Sequence, residues 1–257
     1  MNILWAITGS GAYIRDTVHL IYELKKVYDL KITTVLSKWG YEVARIYGVV
    51  DILRKISSGG YYEELLIGDQ GMYFIGRLNL GRYKLVIIAP ASSNTVAKIV
   101  HGIADTPPTL AFAEAIKSNV PVIIFPTDFP GPNGYMYSET PCYIDRSLCK
   151  CFQELGICSA MEICPVNAIV LIDNTIPRID LSRCIGCEKC IEACRYGAIK
   201  CWERIRLKPR DLDLENIEQL SMQKGVYVVK TINELRDKVV ELIGEGIGQS
   251  FRNRSRN

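Results

Sequence analysis

All ten cysteines of the 257-residue chain fall between Cys142 and Cys201, and the first 141 residues contain none. Cys184, Cys187, Cys190 and Cys194 form an unbroken C-x2-C-x2-C-x3-C run. Three thiolates at that spacing wrap one [4Fe–4S] cube in a single loop, and in two-cluster arrangements the fourth reaches across to the other cluster. Structural zinc held by paired CxxC units is the competing chemistry, but zinc needs only four ligands.

An internal repeat extends the reading upstream. Ile144-Asp145-Arg146-Ser147-Leu148-Cys149 echoes Ile179-Asp180-Leu181-Ser182-Arg183-Cys184, and Cys164-Pro165-Val166-Asn167-Ala168-Ile169 echoes Cys194-Arg195-Tyr196-Gly197-Ala198-Ile199. Cys149 therefore corresponds to Cys184 and Cys164 to Cys194, which leaves Cys151 and Cys158 opposite Cys187 and Cys190. The first half spans 15 positions from first to last cysteine against 10 in the second, so its loop carries five extra residues. Crossed ligation then predicts two sets: Cys164, Cys184, Cys187 and Cys190 hold one cluster, and Cys149, Cys151, Cys158 and Cys194 hold the other. Cys142 and Cys201 lie outside the repeat. They are expected as free thiols, since a reducing cytoplasm disfavours disulfides. The alternative role for Cys142 is to replace Cys151 if the irregular loop folds differently. The module as a whole resembles a bacterial-type two-cluster ferredoxin.

A second chemistry is carried by hydroxyls and glycines. Thr8-Gly9-Ser10-Gly11 follows an apolar run and precedes a helical period, where unpaired N–H groups and the positive end of the helix dipole suit a phosphate. The fingerprint G-x-G-x-x-G is incomplete because Ile14 takes the third glycine position, which disfavours NAD. Pro90-Ala91-Ser92-Ser93-Asn94-Thr95 follows another apolar run, at the strand end where ligands collect in such sheets. Its hydroxyls and amide suit a heterocycle, or else an ordinary helix cap.

The elements that must position these groups alternate. Residues 3–7, 31–36, 84–89 and 120–125 read as strands, and helical periods run through Ile14, Val18, Ile21, Leu24 and Val27, from Ser37-Lys38 through Tyr47, and over 96–101. Residues 57–77 resist assignment beyond a loop at Gly59-Gly60. After the cysteines come a helix at 214–220, a strand at 225–229, a helix at 232–243, and a basic end at 251–257 expected to fray. Continuous Val/Ile runs separated by helices indicate a parallel sheet covered on both faces. A lone strand and helix pair cannot bury its own core, so the last segment is expected to complete the first sheet. The expected fold is α/β, a Rossmann-like (flavodoxin-like) parallel sheet with an inserted two-[4Fe-4S] ferredoxin-like domain. Its divisions are 1–140, 141–206 and 207–257.

Composition narrows the classes. A formal charge of +3 is too small to argue for nucleic acid, and no apolar run reaches the roughly 18 residues of a membrane span. The opening Met1-Asn2-Ile3-Leu4-Trp5 lacks a basic leader, so a cytoplasmic location is expected.

The Thr8-Gly9-Ser10-Gly11 and Pro90-Ala91-Ser92-Ser93-Asn94-Thr95 motifs, with Ala97-Lys98-Ile99, Gly102 and Asp105 downstream, resemble the FMN-binding flavoprotein superfamily of cysteine decarboxylases and flavin prenyltransferases. The resemblance covers most of residues 1–130 and extends to 211–226. It implies FMN, with Gly9, Ser10, Gly11 and Ser37 at the phosphate and ribityl chain, Ser92, Ser93, Asn94 and Thr95 at the flavin or its tail, and Thr8, Pro90 and Ala91 completing the two motifs. Residues 130–137 match the decarboxylases' substrate clamp only in part, and Gly76 stands where they carry a catalytic His, which argues against decarboxylation. The pairing of flavin domain and ferredoxin resembles the archaeal group of archaeoflavoprotein A and the iron–sulfur form of dihydromethanopterin reductase. That resemblance implies an oxidoreductase in which an external ferredoxin or similar donor feeds two [4Fe–4S] clusters, then FMN, then a pterin-like substrate. It also implies a homo-oligomer built from trimers. An electron carrier with a protein acceptor and a lyase or prenyltransferase are the alternatives. No side chain is assigned as catalytic.

Overall fold

A computed structural model describes residues 1–68, 72–151, 156–173 and 176–254. Strands and helices alternate as β1 (Asn2–Ile7), α1 (Ile14–Val27), β2 (Lys31–Leu36), α2 (Lys38–Ile46), α3 (Val50–Ile56), β3 (Leu65–Ile67), α4 (Phe74–Asn79), β4 (Leu85–Ala91), α5 (Ser93–Val100), α6 (Pro107–Lys117) and β5 (Val122–Pro126). The cysteine region contributes β6 (Met136–Glu139), β7 (Tyr143–Ile144), α7 (Ser159–Glu162), β8 (Ile169–Ile172), β9 (Ile176–Ile179), α8 (Lys189–Ala193), β10 (Ile199–Lys200) and β11 (Arg204–Leu207). The chain then closes with α9 (Asp211–Ser221), β12 (Val226–Val228) and α10 (Ile232–Arg254).

Six of the strands form one parallel sheet in the order β12-β5-β4-β1-β2-β3. Alternation along β1 sends Ile3, Trp5 and Ile7 to one face and Leu4 and Ala6 to the other, as the two-residue period of a strand requires. The first face packs on Ile14, Val18 and Ile21 of α1, Leu53 of α3, and Leu235 and Val239 of α10. The second packs on Phe74 of α4, Val96 of α5, Phe112 of α6, and Ile217 and Leu220 of α9. Trp5 is fully buried, and its indole N–H is satisfied by the Ala89 carbonyl at 2.7 Å.

As expected, the strand after the cysteine region returns to this sheet: β12 pairs with β5 from Val226↔Val122 to Val228↔Ile124. The cysteine region hangs from an antiparallel neck in which β6 pairs with β11 and β7 with β10. Residues 57–77, unassigned from sequence, supply β3 and α4, with 69–71 outside the described residues. Helix α6 was not anticipated, although Pro107 and Pro108 in its first turn, behind a Thr106–Thr109 cap, are a start signal. Helix α10 continues through Arg254, where fraying was expected, and 255–257 lie outside the described residues. Among the described residues no helix is long and apolar enough to cross a membrane.

At the β3 edge, Arg77 makes a two-pronged pair with Glu64 at 2.9 and 3.0 Å, and its guanidinium lies over the Tyr61, Tyr62 and Tyr73 rings. Burial alone would raise the Glu64 carboxyl, but the Arg77 pair and the Thr33 hydroxyl hold it below the usual carboxylate range. A depressed folded pKa contributes stability above the unfolded value of about 4.3 and loses it as pH falls through the folded value. Glu64→Gln is therefore expected to cost about 2 kcal/mol at pH 7. The gap to wild type in urea midpoint should hold from neutral pH down to about 4.3 and narrow only below it.

Candidate functional site

The chain leaves β1 for β2 on one side and returns from β3 to β4 on the other, so the strand order reverses between β1 and β4. Crevices open at such switch points beyond the carboxyl ends of the strands. Both hydroxyl- and glycine-rich motifs stand there. The Thr8 hydroxyl is fully buried; it donates to the Pro90 carbonyl at 2.8 Å and accepts the Ser92 N–H at 2.8 Å, so it ties the two loops together. Pro90 and Ala91 are buried as well, as the last residues of β4. Gly9 and Asn94 are exposed, and Ser10, Gly11, Ser92 and Ser93 half-buried, along the rim. Thr95 is buried with its hydroxyl 3.2 Å from that of Ser92. Ser37 caps α2 by accepting the Gly40 N–H at 3.0 Å.

The amino end of α1 has no side-chain cap; the Ile14 N–H donates to the Gly11 carbonyl at 3.4 Å, and the amides that follow it in the first turn face the loop end where an anion would sit. A Cβ on Gly9 would sit 2.8 Å from Trp39 Cβ, and one on Gly11 would sit 2.3 Å from the Tyr47 hydroxyl. The loop is thus pressed against α2 and the residue after it, and glycine is needed for that approach.

Asp128, which no sequence motif marks, joins the rim from the segment just after β5. Its carboxylate accepts from the Ser93 N–H at 3.2 Å and from the Thr127 hydroxyl at 2.9 Å, while Thr127 also accepts from Ser10 at 3.0 Å. Burial raises its pKa against the opposing Thr127 hydrogen bond, and neighbouring Asp213 raises it further. A lone Asp after a strand carried no signal in the sequence.

The cysteines ring two cavities of nearly equal empty volume, about 380 and 360 Å³ counting their open sides. Cys149, Cys151, Cys158 and Cys194 line the first, and Cys164, Cys184, Cys187 and Cys190 line the second. Each lining draws thiols from both halves of the repeat. Residues 152–155 of that loop lie outside the described residues. Among the described residues no three His, Cys, Asp or Glu side chains are grouped to hold a single metal ion, and the Cys149 and Cys151 sulfurs are 3.6 Å apart. The donor set, four soft thiols per cavity, suits iron–sulfur chemistry. Cys164 and Cys194 accept backbone N–H bonds from Ala168 and Ala198 at 3.2 and 3.3 Å, an equivalence the repeat anticipated.

Burial, then the neighbouring Cys184 and Cys187 charges, pushes the Cys190 thiol up to about 11. Burial and the Cys149 contact push Cys151 to about 12. A coordinating cation removes the proton from such a thiol outright.

The free-thiol expectation for Cys142 and Cys201 is overturned, because they form a disulfide. The neck register runs Ile199↔Ile144 and Lys200↔Tyr143; one further step sets Cys201 opposite Cys142. They are 59 positions apart in sequence, and only the antiparallel pairing brings them together.

The Cys184–Cys187 loop seats on the sheet domain. Gly48 and Gly186 meet backbone to backbone, since a Cβ on Gly186 would lie 2.5 Å from the Ile46 carbonyl oxygen. Arg45 donates to the Cys184 and Leu181 carbonyls at 2.6 and 3.0 Å. Arg15 and the Trp202 indole both donate to Glu188 at 2.6 Å, and the Trp202 and Tyr47 rings are 4.9 Å apart. Packed side chains therefore connect Gly11 to Tyr47, Trp202, Glu188 and the Cys187 loop.

The family model described as Flavoprotein matches residues 1–176, and that described as 4Fe-4S binding domain matches 177–200. A dihydromethanopterin reductase (acceptor) of Methanosarcina mazei is 38% identical over 234 residues, covering 90% of this chain and 95% of the relative. The enzyme of the same name from Methanocaldococcus jannaschii is 40% identical over 235 residues, covering 90% and 92%. In structure, Burkholderia xenovorans DmrB in complex with FMN, described as a cubic protein cage for redox transfer, aligns over 95% of each chain with a TM-score of 0.59 and 24% identity. That likeness shows the shared fold.

Proposed function

We propose, from the premise that this chain belongs to the Flavoprotein family and carries a 4Fe-4S binding domain, that it passes electrons from an external ferredoxin-like donor to a pterin-like substrate. It is an iron–sulfur flavoprotein reductase. The substrate class follows the name of the two archaeal relatives. FMN and two [4Fe–4S] clusters are its cofactors; clusters pass single electrons, whereas a flavin stores two and delivers a hydride.

The chain's own residues supply binding and orientation. Cys164, Cys184, Cys187 and Cys190 hold one cluster, and Cys149, Cys151, Cys158 and Cys194 the other. Gly9, Ser10, Gly11 and the first amides of α1 take the FMN phosphate, with Ser37 beside them. Ser92, Ser93, Asn94 and Thr95 face the flavin or its tail, while Thr8, Pro90 and Ala91 shape the crevice. Residues 1–140 and 207–257 form the flavin domain and 141–206 the ferredoxin domain. The reading includes a trimer-based homo-oligomer, in keeping with the cage of the Burkholderia neighbour, and a cytoplasmic location.

The observation that carries it is the seating of a four-thiol cavity on the domain whose switch-point crevice holds the glycine and hydroxyl motifs. Anaerobically purified protein is expected to hold about eight iron, about eight sulfide and one FMN per chain. Adding a dihydropterin to the dithionite-reduced protein should reoxidise the flavin band. Flavin and clusters without any pterin reaction would make the chain an electron carrier to a protein acceptor. Zinc without flavin would overturn the whole reading.

A further inference from the structure

We propose that Cys142 and Cys201 are a fourth redox centre, a dithiol/disulfide couple charged from the cluster site of Cys164, Cys184, Cys187 and Cys190. This rests on the iron–sulfur reading above for the source of electrons.

Position is the first argument. Cys142 lines the same cavity as those four thiols, so one sulfur of the disulfide borders the space the cluster fills. Cys201 precedes Trp202, whose indole N–H donates to Glu188, the residue after Cys187, and whose ring packs on Tyr47 beside Gly11. One cysteine of the pair thus borders the cluster site, and the other directly precedes the tryptophan that packs toward the loop assigned to the flavin phosphate.

Access is the second. Thiol–disulfide exchange needs a thiolate to reach a sulfur, and Cys142 is 3% exposed in the small core of the module, with Cys201 half-buried. External thiols are shut out on one side, whereas electrons from a bordering cluster need no such approach.

The third argument is that the neck does not depend on the bond. The Thr140 N–H donates to the Glu203 carbonyl at 3.0 Å and the Trp202 N–H to the Thr140 carbonyl at 3.1 Å. These bonds, with the β6–β11 and β7–β10 ladders on either side, hold the strands without a covalent staple.

The step balances as one S–S bond broken and two S–H bonds formed, with two electrons and two protons taken up. The electrons come singly from a low-potential one-electron donor, and the protons from solvent at the half-buried Cys201 side.

Anaerobic dithionite titration of the holoprotein, with denaturation and iodoacetamide alkylation at each end, tests this. Full reduction should take about six electrons per chain, one per cluster, two for FMN and two for the disulfide. Cys201→Ser should take about four. Peptide mass analysis should find Cys142 and Cys201 linked in the oxidised protein and alkylated after reduction, with millimolar glutathione leaving them linked. Equal uptake by wild type and variant, a linkage that survives complete bleaching of the clusters, or free thiols in the oxidised protein would each overturn the proposal. Wild-type alkylation decides the matter even if the variant does not fold. Iron and FMN are assayed on the same samples: loss of FMN lowers both titrations by two and leaves their difference intact, so a failed flavin reading is distinguishable.

Discussion

The double variant Cys164→Ala/Cys187→Ala is expected to retain about four iron and about four sulfide per chain, half of the wild-type content. Both residues line one cavity, although they belong to different halves of the repeat. Removing two ligands from one site abolishes that cluster and spares the other. If each half instead kept its own four cysteines, the same two changes would cripple both sites and leave neither cluster whole. Cys158→Ala/Cys164→Ala gives the reverse pattern, because these cysteines are neighbours in sequence but line different cavities. Loss of both clusters is expected there, and retention of four iron would sink crossed ligation. Iron and acid-labile sulfide assays on the purified variants read the result directly.

Gly186→Ala is expected to lower the thermal midpoint by about 10 °C, the equivalent of roughly 3 kcal/mol for a chain of this size. Two costs combine. The residue has a φ of +61°, which costs a side chain about 1–2 kcal/mol. Its Cβ would also lie 2.5 Å from the Ile46 carbonyl oxygen and 2.6 Å from the Gly48 nitrogen. Both are backbone atoms, which cannot swing aside as the end of a side chain can, so the cluster loop must lift from the sheet domain. Gly197 is the matched control: its φ is +59° and nothing lies within 4 Å of its Cβ. Gly197→Ala should therefore incur the backbone cost alone, a fall of about 4 °C. Differential scanning calorimetry of both variants with their cofactors separates the terms. Equal shifts would mean that the Gly48–Gly186 contact contributes nothing to seating the module.

The sequence by itself determined the chemistry and the class of fold. Ligand spacing such as Cys184-x2-Cys187-x2-Cys190 is a property of a short loop, and the I-D-x-S-x-C repeat carried that reading to Cys149 and Cys164 because equivalent loops fold alike. The two-faced burial of β4 was equally legible, since every residue from Leu85 to Ala91 is buried and all but one are apolar and small or branched. The weak internal signals of 57–77 were not legible. There, a three-residue strand and a six-residue helix are too short to show a period and are held by neighbours such as β2.

Only the tertiary structure decided how the two chemistries meet. The disulfide arises from strand pairing across 59 positions, and general rules for a reducing compartment pointed the other way. Arg15, Arg45, Tyr47, Glu188 and Trp202 have no motif; each matters through what the packing of α1 and α2 against the neck places beside it. Asp128 joins the rim only because β5 lies next to β4 in the sheet. Spacing along a chain fixes what one loop can ligate, whereas contacts between loops depend on sheet order and register, which are settled by the burial of the whole core.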